Sequence, residues 1–483
     1  MQFLIVIRVL GILLMVFGLT FLPPLFVGWV MGDDSLTPFT LSFVISVTLG
    51  VILWGLTRQY RRELKLRDGL LIVVSFWVVL GLIGSTPIYL QPELGLSFSQ
   101  AMFESVSGIT TTGATVITGL DHLPSSLLFY RQQLQWLGGL GIIVLVVAFL
   151  PLLGVGGMQL YKGEMTGPIK DSRLSGRISE TAKALWLVYT GITVLCALIY
   201  KIEGMTWFDA VSHAFTTVAT GGFSTHDASF GHFGSAIMEV TAMVFMILGA
   251  TPMALHYIAI RRGTLAGYFN SAEVRFFLGW LTAVAAIVVG FFLVNMPEGS
   301  WVETVRQHLF NLVSFATTTG YAATDHTAYG PFLMLLLVMT TVIGGCAGST
   351  TGGMKSVRVM LLARQGINEV RRLVHPHAVF VVRMGGRPVD FDVISAVWAF
   401  FAAWMFTFLF FFVAMLMTGM DIESALGAVL ATLANLGPGI GSVTSNFTSE
   451  STTVLWLGMF AMILGRLEIF TVLAILLPMF WRR

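Results

Sequence analysis

Charge is scarce in this chain. Of its 483 residues only 11% are Asp, Glu, Lys or Arg and 56% are hydrophobic, with a mean hydropathy of +0.84. A soluble domain carries roughly a quarter charged residues, so a water-soluble fold is excluded and an integral membrane protein is read. Cysteine is scarcer still: Cys196 and Cys346 both sit inside apolar stretches, where free buried thiols are a better reading than a disulfide or metal site. No H-E-x-x-H or comparable cluster of nucleophile, base and acid stands inside the apolar segments, so a membrane-embedded enzyme is remote. The apolar start from Val6 to Val30 is too long, and too soon followed by another apolar segment, for a cleaved signal peptide, and a retained span is expected.

Whole connections also lack bases. Residues 89 to 130, 204 to 234 and 419 to 455 contain no Lys or Arg, and 296 to 330 contain only Arg306. Of the 27 bases, 22 fall instead in a few segments: Arg58 to Arg67, Lys162 to Lys183, Arg261 to Arg275, Lys355 to Arg387, and Arg482 with Arg483. The positive-inside rule puts those on the cytoplasmic face. The base-free connections carry acids such as Glu104, Asp121, Asp209, Asp227, Asp325 and Asp421. These give the outer face a negative potential that concentrates cations, or are ordinary solvated loop charge, two readings of equal weight. Apolar runs of spanning length lie near 6–30, 38–57, 69–90, 128–153, 184–203, 235–260, 276–295, 331–363, 392–418 and 452–478, an even number that puts both termini inside.

Four outer segments hold apolar stretches too short to cross: Gln100 to Ile109, Trp207 to Val218, Trp301 to Ala316 and Ile422 to Leu433. Each is expected to go in and come back out. Ser97 with Gln100 and Ser300 with Glu303 fit capping boxes at their starts, and Thr206 with Asp209 is a relaxed version. Each ends at a glycine. Aligned on it, the segments read FESVSGITTTG to Gly113, VSHAFTTVATG to Gly221, FNLVSFATTTG to Gly320 and GAVLATLANLG to Gly437, and the first and third share seven of eleven positions. Such a recurrence is a fourfold repeat. Non-helical backbone at membrane depth is tolerated where protein buries it or where it lines a water-filled path. Four such units make a path where helix C-termini and carbonyl oxygens face a dehydrated cation. The bland reading of one stretch, Thr bonding back to its own helix and Gly marking close packing, does not explain four in equivalent places.

A fifth glycine-rich run, IGGCAGSTTGGMKS at 343–356, follows an apolar stretch. Each interior Gly costs about 1 kcal/mol against Ala, so the helix is expected to break there. It is no phosphate loop, because Lys355 does not directly follow the glycine and no strand precedes it. Arg466 is the other outlier, costing roughly 2.5–3.5 kcal/mol in mid-span unless it faces something polar. Glu468, two residues on, lies on another helix face. His375 and His377 have metal-ligand spacing but no further ligands, which favours a plain connector; Arg131 is expected to anchor its span or brace the pore, and His256 has no evident partner.

Over essentially its whole length the sequence resembles the Trk/Ktr/HKT superfamily of potassium transporters, closest to the bacterial TrkH subunit. The resemblance implies an all-α polytopic membrane protein: two extra helices in 1–67, then four pseudo-symmetric span, pore-loop and span repeats around a central pore at 68–183, 184–270, 271–387 and 388–483. It implies potassium uptake through a selectivity filter of Thr111, Thr112, Gly113, Ala219, Thr220, Gly221, Thr318, Thr319, Gly320, Asn435, Leu436 and Gly437. K+ is then cargo and no bound cofactor is expected. Gly113 matches the potassium-selective pattern, where some sodium-favouring relatives carry serine; the fourth copy, NLGPGIG, departs most. The resemblance further implies a gate made of the intramembrane loop, with Gly344, Gly345, Gly348, Gly352, Gly353 and Lys355, together with Arg466. It also implies a homodimer in the bacterial inner membrane and a TrkA-like nucleotide-binding regulatory subunit. The basic face suits anionic lipids, and no nucleic acid is expected. The competing expectation, a symporter coupled to Na+ or H+, calls for acids within spans, and almost none stands there beyond Glu468.

Overall fold

A computed structural model of the chain describes residues 2–33, 36–60, 65–148, 174–295, 300–328 and 330–482. The expected end of the fourth span at 149–153, part of the first repeat, and the bases Arg61, Arg62, Lys162, Lys170, Arg173 and Arg483 lie outside these. The regular structure described is helical apart from two pairs of two-residue strands. Among the described residues six helices are long and apolar enough to cross a membrane, or eight if each of two bent pairs is one span. Two further expected spans take the form of the helix Ser125–Ala148 and of a pair, Pro331–Thr340 and Ser356–Val374, split by a loop. Large apolar side chains such as Ile202, Val294 and Phe406 are exposed outward, as expected of a surface solvated by lipid.

The first helix, Phe3–Leu19, lies along Leu36–Thr57. Their backbones approach closely at two glycines: a Cβ on Gly50 would sit 2.7 Å from the Gly11 carbonyl oxygen, and Ser46 Oγ donates to the Leu14 carbonyl at 2.8 Å. Small residues and a hydroxyl bond at the seam are how helices associate when lipid offers no hydrophobic drive.

The four short helices form where the sequence places them, at Phe98–Ile109, Trp207–Val218, Trp301–Ala316 and Ile422–Leu433. Their first turns are capped by Ser97, Thr206, Ser300 and Asp421, whose side-chain oxygens accept the N–H of Gln100, Asp209, Glu303 and Ser424. Two apolar cores flank them. One joins the N-terminal helices to the first and fourth short helices and the other packs the second and third.

Two expected straight spans are broken. The sixth, 235–260, becomes Ala236–Ala250 and Met253–Arg262 bent by 100°. Pro252 offers no N–H and pushes Thr251 into extended backbone at φ −96°, ψ 157°, which ends the helix. The tenth becomes Thr452–Arg466 and Phe470–Leu476 bent by 114°, through Glu468 at φ 56° and Ile469 at φ 40°. A β-branched residue at positive φ is strained. His256, beside the first bend, has partners after all: Tyr268 Oη at 2.6 Å, the Leu248 carbonyl at 2.9 Å and Thr251 Oγ1 at 3.0 Å.

Candidate functional site

After each short helix the backbone repeats one conformation. Thr111, Thr220, Thr318 and Asn435 take left-handed φ of 51°, 50°, 53° and 53°. The next N–H reaches back five residues to the helix, from Thr112 to Ser107, Gly221 to Thr216, Thr319 to Ser314 and Leu436 to Ala431. Then comes a glycine at positive φ: Gly113 at 84°, Gly222 at 81°, Gly320 at 83° and Gly437 at 103°. Threonine is not at ease in this region, and four equivalent outliers mark a backbone that its surroundings over-determine.

These glycines correct the alignment made on the sequence. In the second repeat Gly222, not Gly221, is equivalent to Gly113, Gly320 and Gly437. Thr220 and Gly221 therefore occupy the places of Thr111 and Thr112, and Ala219 falls back to the helix cap. The shift has a physical cause: register is set by the bonds to the helix C-terminus, and Gly221 makes the one that Thr112 and Thr319 make. The fourth copy departs in sequence but not in backbone. Asparagine tolerates the left-handed region better than threonine, and Asn435 Nδ2 adds bonds to Thr112 Oγ1 at 2.9 Å and the Met462 carbonyl at 3.0 Å.

The glycines also close a ring. A Cβ on Gly113 would collide with the Gly221 carbonyl oxygen, one on Gly222 with that of Thr319 and one on Gly320 with that of Leu436, while one on Gly437 would lie 2.7 Å from that of Thr112. Each repeat thus leans on the residue before the next repeat's glycine, and the fourth returns to the first. Only residues without a side chain allow four strands to meet so closely. The threonines brace rather than surround: Thr110 and Thr317 donate to Val106 and Val313 carbonyls, and each pairs with the hydroxyl two residues on, at 2.7 and 2.8 Å.

Residues outside the strands hold the ring from behind, and among them only Arg131 is marked by the sequence. Glu104, on the first short helix, accepts from Val116 N–H at 2.9 Å and from Arg131 Nε at 2.8 Å, and Arg131 lies over Phe223 and donates to Thr115. Asn311, its counterpart in the third repeat, accepts from Ala323 N–H at 2.9 Å, and His213, in the second, lies 3.0 Å from Ser224 Oγ. Gln135 donates to the Gly221 carbonyl at 2.6 Å and accepts from Phe223 N–H at 3.0 Å. Arg131 and Glu104 are buried, 1% and 0% exposed. Removing one member of such a pair leaves an uncompensated charge, so Glu104→Ala lowers stability by roughly 3–5 kcal/mol. Thermal unfolding in detergent checks this, and the double variant Glu104→Leu with Arg131→Met is expected to recover part of the loss.

On one side of the ring lies the glycine-rich loop 343–356. Ile343–Gly344 pairs in parallel with Met354–Lys355, so the loop leaves and returns at one point. Its tip reaches the filter-like strands: Gly352 N–H donates to Thr318 Oγ1 at 2.7 Å, and Thr350 Oγ1 is 3.1 Å from Thr220 Oγ1. Cys346 and Thr350 N–H groups bond the Ala250 and Gly249 carbonyls freed by the bent sixth span. Glu273 accepts from Ala347 N–H at 2.6 Å and Val357 N–H at 3.2 Å, fixing the far side. Arg466 meets this loop. Its Nη1 donates to the Thr350 carbonyl at 2.9 Å, while its Nε and Nη2 are buried without a hydrogen bond. They adjoin a cavity lined also by Gly348, Gly353, Lys355 and Glu468. Glu468 pairs with Arg358 at 2.5 Å, not with Arg466.

At the other end, the base-free connections keep their carboxylates charged. A hydrogen bond from His226 holds Asp121 below the ordinary carboxylate range, the Thr327 backbone N–H does so for Asp325, and Ser424 does so for Asp421. These three carboxylates are therefore ionised at neutral pH.

Known proteins resemble the chain throughout. The family model described as TrkH, a cation transport protein, matches residues 35–482. The Trk system potassium uptake protein TrkH of Halomonas elongata is 46% identical over 479 residues, 99% of each chain. That of Escherichia coli is 45% identical over 486 residues, all of both chains, and its TrkG is 39% identical over 477 residues, 98% of this chain and 97% of TrkG. The crystal structure of the potassium transporter TrkH from Vibrio parahaemolyticus superposes with a TM-score of 0.93 at 44% identity, covering all of both chains.

Proposed function

This chain belongs to the TrkH family of cation transport proteins, transporters rather than enzymes, and from that premise we propose that it takes up K+ through the ring closed by Gly113, Gly222, Gly320 and Gly437. The ring is the observation that carries the reading. Four strands with a left-handed residue and then a glycine at equivalent places end four short helices, whose C-termini each present roughly half a negative charge. Carbonyl oxygens there replace the hydration shell of a cation, and K+ is the ion that the relatives' names specify. The negative mouth concentrates cations on the outer side, and a membrane potential supplies about 2.3 kcal/mol per charge for each 100 mV. Uptake then needs no chemistry.

The filter residues in this reading are Thr111, Thr112, Gly113, Thr220, Gly221, Gly222, Thr318, Thr319, Gly320, Asn435, Leu436 and Gly437. The gate is the loop from Gly344 to Lys355 with Arg466, which lies across the inner end of the strands and sets a fixed positive charge beside the path. The protein sits in the bacterial inner membrane with both termini cytoplasmic, divided into the four repeats that follow residue 67. It works as a homodimer whose basic face meets anionic lipid and a TrkA-like nucleotide-binding subunit.

Proteoliposomes holding this protein alone test the reading. Under an inside-negative potential and no other gradient, 86Rb+ and K+ are expected to accumulate well ahead of Na+ and Li+. Uptake that requires a Na+ or proton gradient would establish a coupled symporter instead, with the ring as a binding site that closes in each cycle.

A further inference from the structure

The fold gathers a set of metal-ligating side chains of which the potassium pathway uses only the charge of Asp121. His375 and His377 carry ligand spacing in the sequence, but both are exposed, and no third ligand joins them among the described residues. At the outer face, in contrast, Asp121, His226 and His232 bring a carboxylate oxygen and two imidazole nitrogens within 4.8 Å of one another. They come from two repeats. Asp121 lies in the 3-10 turn Leu120–His122 beyond the first ring strand, while His226 and His232 lie in the connection beyond the second, His232 within the turn Ser229–Phe233.

His226 stands between two carboxylates and face to face with the second imidazole, so a shared ion requires the exposed His232 to turn out of the stack until its nitrogen points toward Asp121. The His226 Nδ1 lies 2.6 Å from Asp121 Oδ1, and the His226 ring stacks on that of His232 with centroids 3.5 Å apart and planes within 3°. The opposite nitrogen, Nε2, is buried and makes no hydrogen bond, yet it faces Asp209 Oδ1 at 3.4 Å. Asp209 is itself fixed by Thr206 Oγ1 at 2.6 Å and Thr225 Oγ1 at 2.8 Å. A ligating imidazole normally gives its other N–H to a carboxylate, which orients the ring and raises its basicity. Two imidazoles and one carboxylate with water in the fourth place suit a borderline divalent ion, whereas K+, Mg2+ and Ca2+ prefer oxygen alone. Donor atoms on a tetrahedral zinc-like ion lie about 3.4 Å apart, given bonds of about 2.1 Å, so the cluster, now within 4.8 Å, closes by up to about 1.4 Å while Asp121 Oδ1 and His226 Nδ1, now 2.6 Å apart, part by about 0.8 Å.

We propose that Asp121, His226 and His232 form a binding site for a divalent ion of the zinc, nickel or copper class, with Asp209 as the outer carboxylate. A bound ion ties the outer connection of the first repeat to that of the second. Asp227 already links the same two segments without metal, its Oδ1 accepting from Gly119 N–H at 3.0 Å, so the site reinforces an existing junction. It needs no movement of the ring of glycines.

Zinc titration of the full-length, chelator-treated protein in detergent tests this by calorimetry, with Mg2+ as the control ion and Co2+ absorption as a second readout of coordination. One Zn2+ per chain is expected, with binding weakened by at least about tenfold in His232→Ala and in Asp121→Asn, and by about tenfold in Asp209→Asn as for other outer-shell partners. The tetrahedral Co2+ band is expected to disappear in His232→Ala. His375→Ala with His377→Ala is expected to bind as the parent does. His232 is exposed, and an unchanged melting temperature in its variant separates loss of a ligand from loss of fold. Three results would overturn the proposal: no Zn2+ binding beyond that of Mg2+, binding that survives both His232→Ala and Asp121→Asn, or binding abolished by the 375 and 377 pair.

Discussion

Replacing Gly222 by serine lowers the ratio of K+ to Na+ uptake by at least about tenfold, while Gly221→Ala changes it less than about threefold. The two glycines are neighbours, yet their surroundings differ in kind. Gly222 needs φ of 81°, and a Cβ there would collide with a backbone oxygen, that of Thr319, in the strand of the next repeat. Left-handed backbone alone costs an L-residue about 1–2 kcal/mol, and the Thr319 carbonyl has no freedom to retreat without opening the ring. Gly221 is not at positive φ, and a Cβ there would meet the Gln135 side chain at 2.5 Å, which can shift at the expense of its two bonds to the strand. Paired Rb+ and Na+ uptake assays on folded variants decide it. The reverse order, with Gly221 the sensitive position, would restore the alignment read from the sequence and contradict the ring.

Arg466→Ala raises basal Rb+ flux by about thirtyfold, and Arg466→Lys raises it far less. A unit charge roughly 8 Å from an ion repels it by about 2 kcal/mol at an effective dielectric of about 20, which is about thirtyfold in rate. Truncation also releases the Thr350 carbonyl, one of the contacts that hold the loop tip in place beside Thr220 and Thr318. Lysine keeps the charge but cannot reproduce the guanidinium fork. The flux is measured in proteoliposomes at matched protein content, with a size-exclusion profile confirming fold. Flux equal to or below that of the parent would contradict a gating role for this residue and leave it as a structural cation of the last span.

The short helices were legible to the residue at three of four places, because capping side chains and a bounded apolar run specify a helix locally. Phe98–Ile109 differs only at its start, two residues ahead of the expected Gln100, because the helix begins directly after its cap Ser97. The break after Thr340 was legible as well, since glycine density opposes helix whatever surrounds it. Register in the second repeat was not. The sequence ATGG offers two glycines, and identity of the T-G pair favoured the first, whereas the backbone counts five residues back to Thr216. The bend at Glu468 and Ile469 carries no Gly or Pro to announce it, and is stabilised from outside by Arg358, 110 residues away. Glu104, Gln135 and Asn311 look like isolated polar residues in sequence. Their role as supports exists only once the strands they hold have been brought beside them.

The central claim is that cations pass through the ring itself, and Rb+ can report it directly. Crystals of the protein grown in RbCl, with diffraction collected at the rubidium absorption edge, are expected to show anomalous density on the axis between the strands of Thr111 to Gly113, Thr220 to Gly222, Thr318 to Gly320 and Asn435 to Gly437. Anomalous density confined to other sites, with none between these strands while the ring stays intact, would contradict the account.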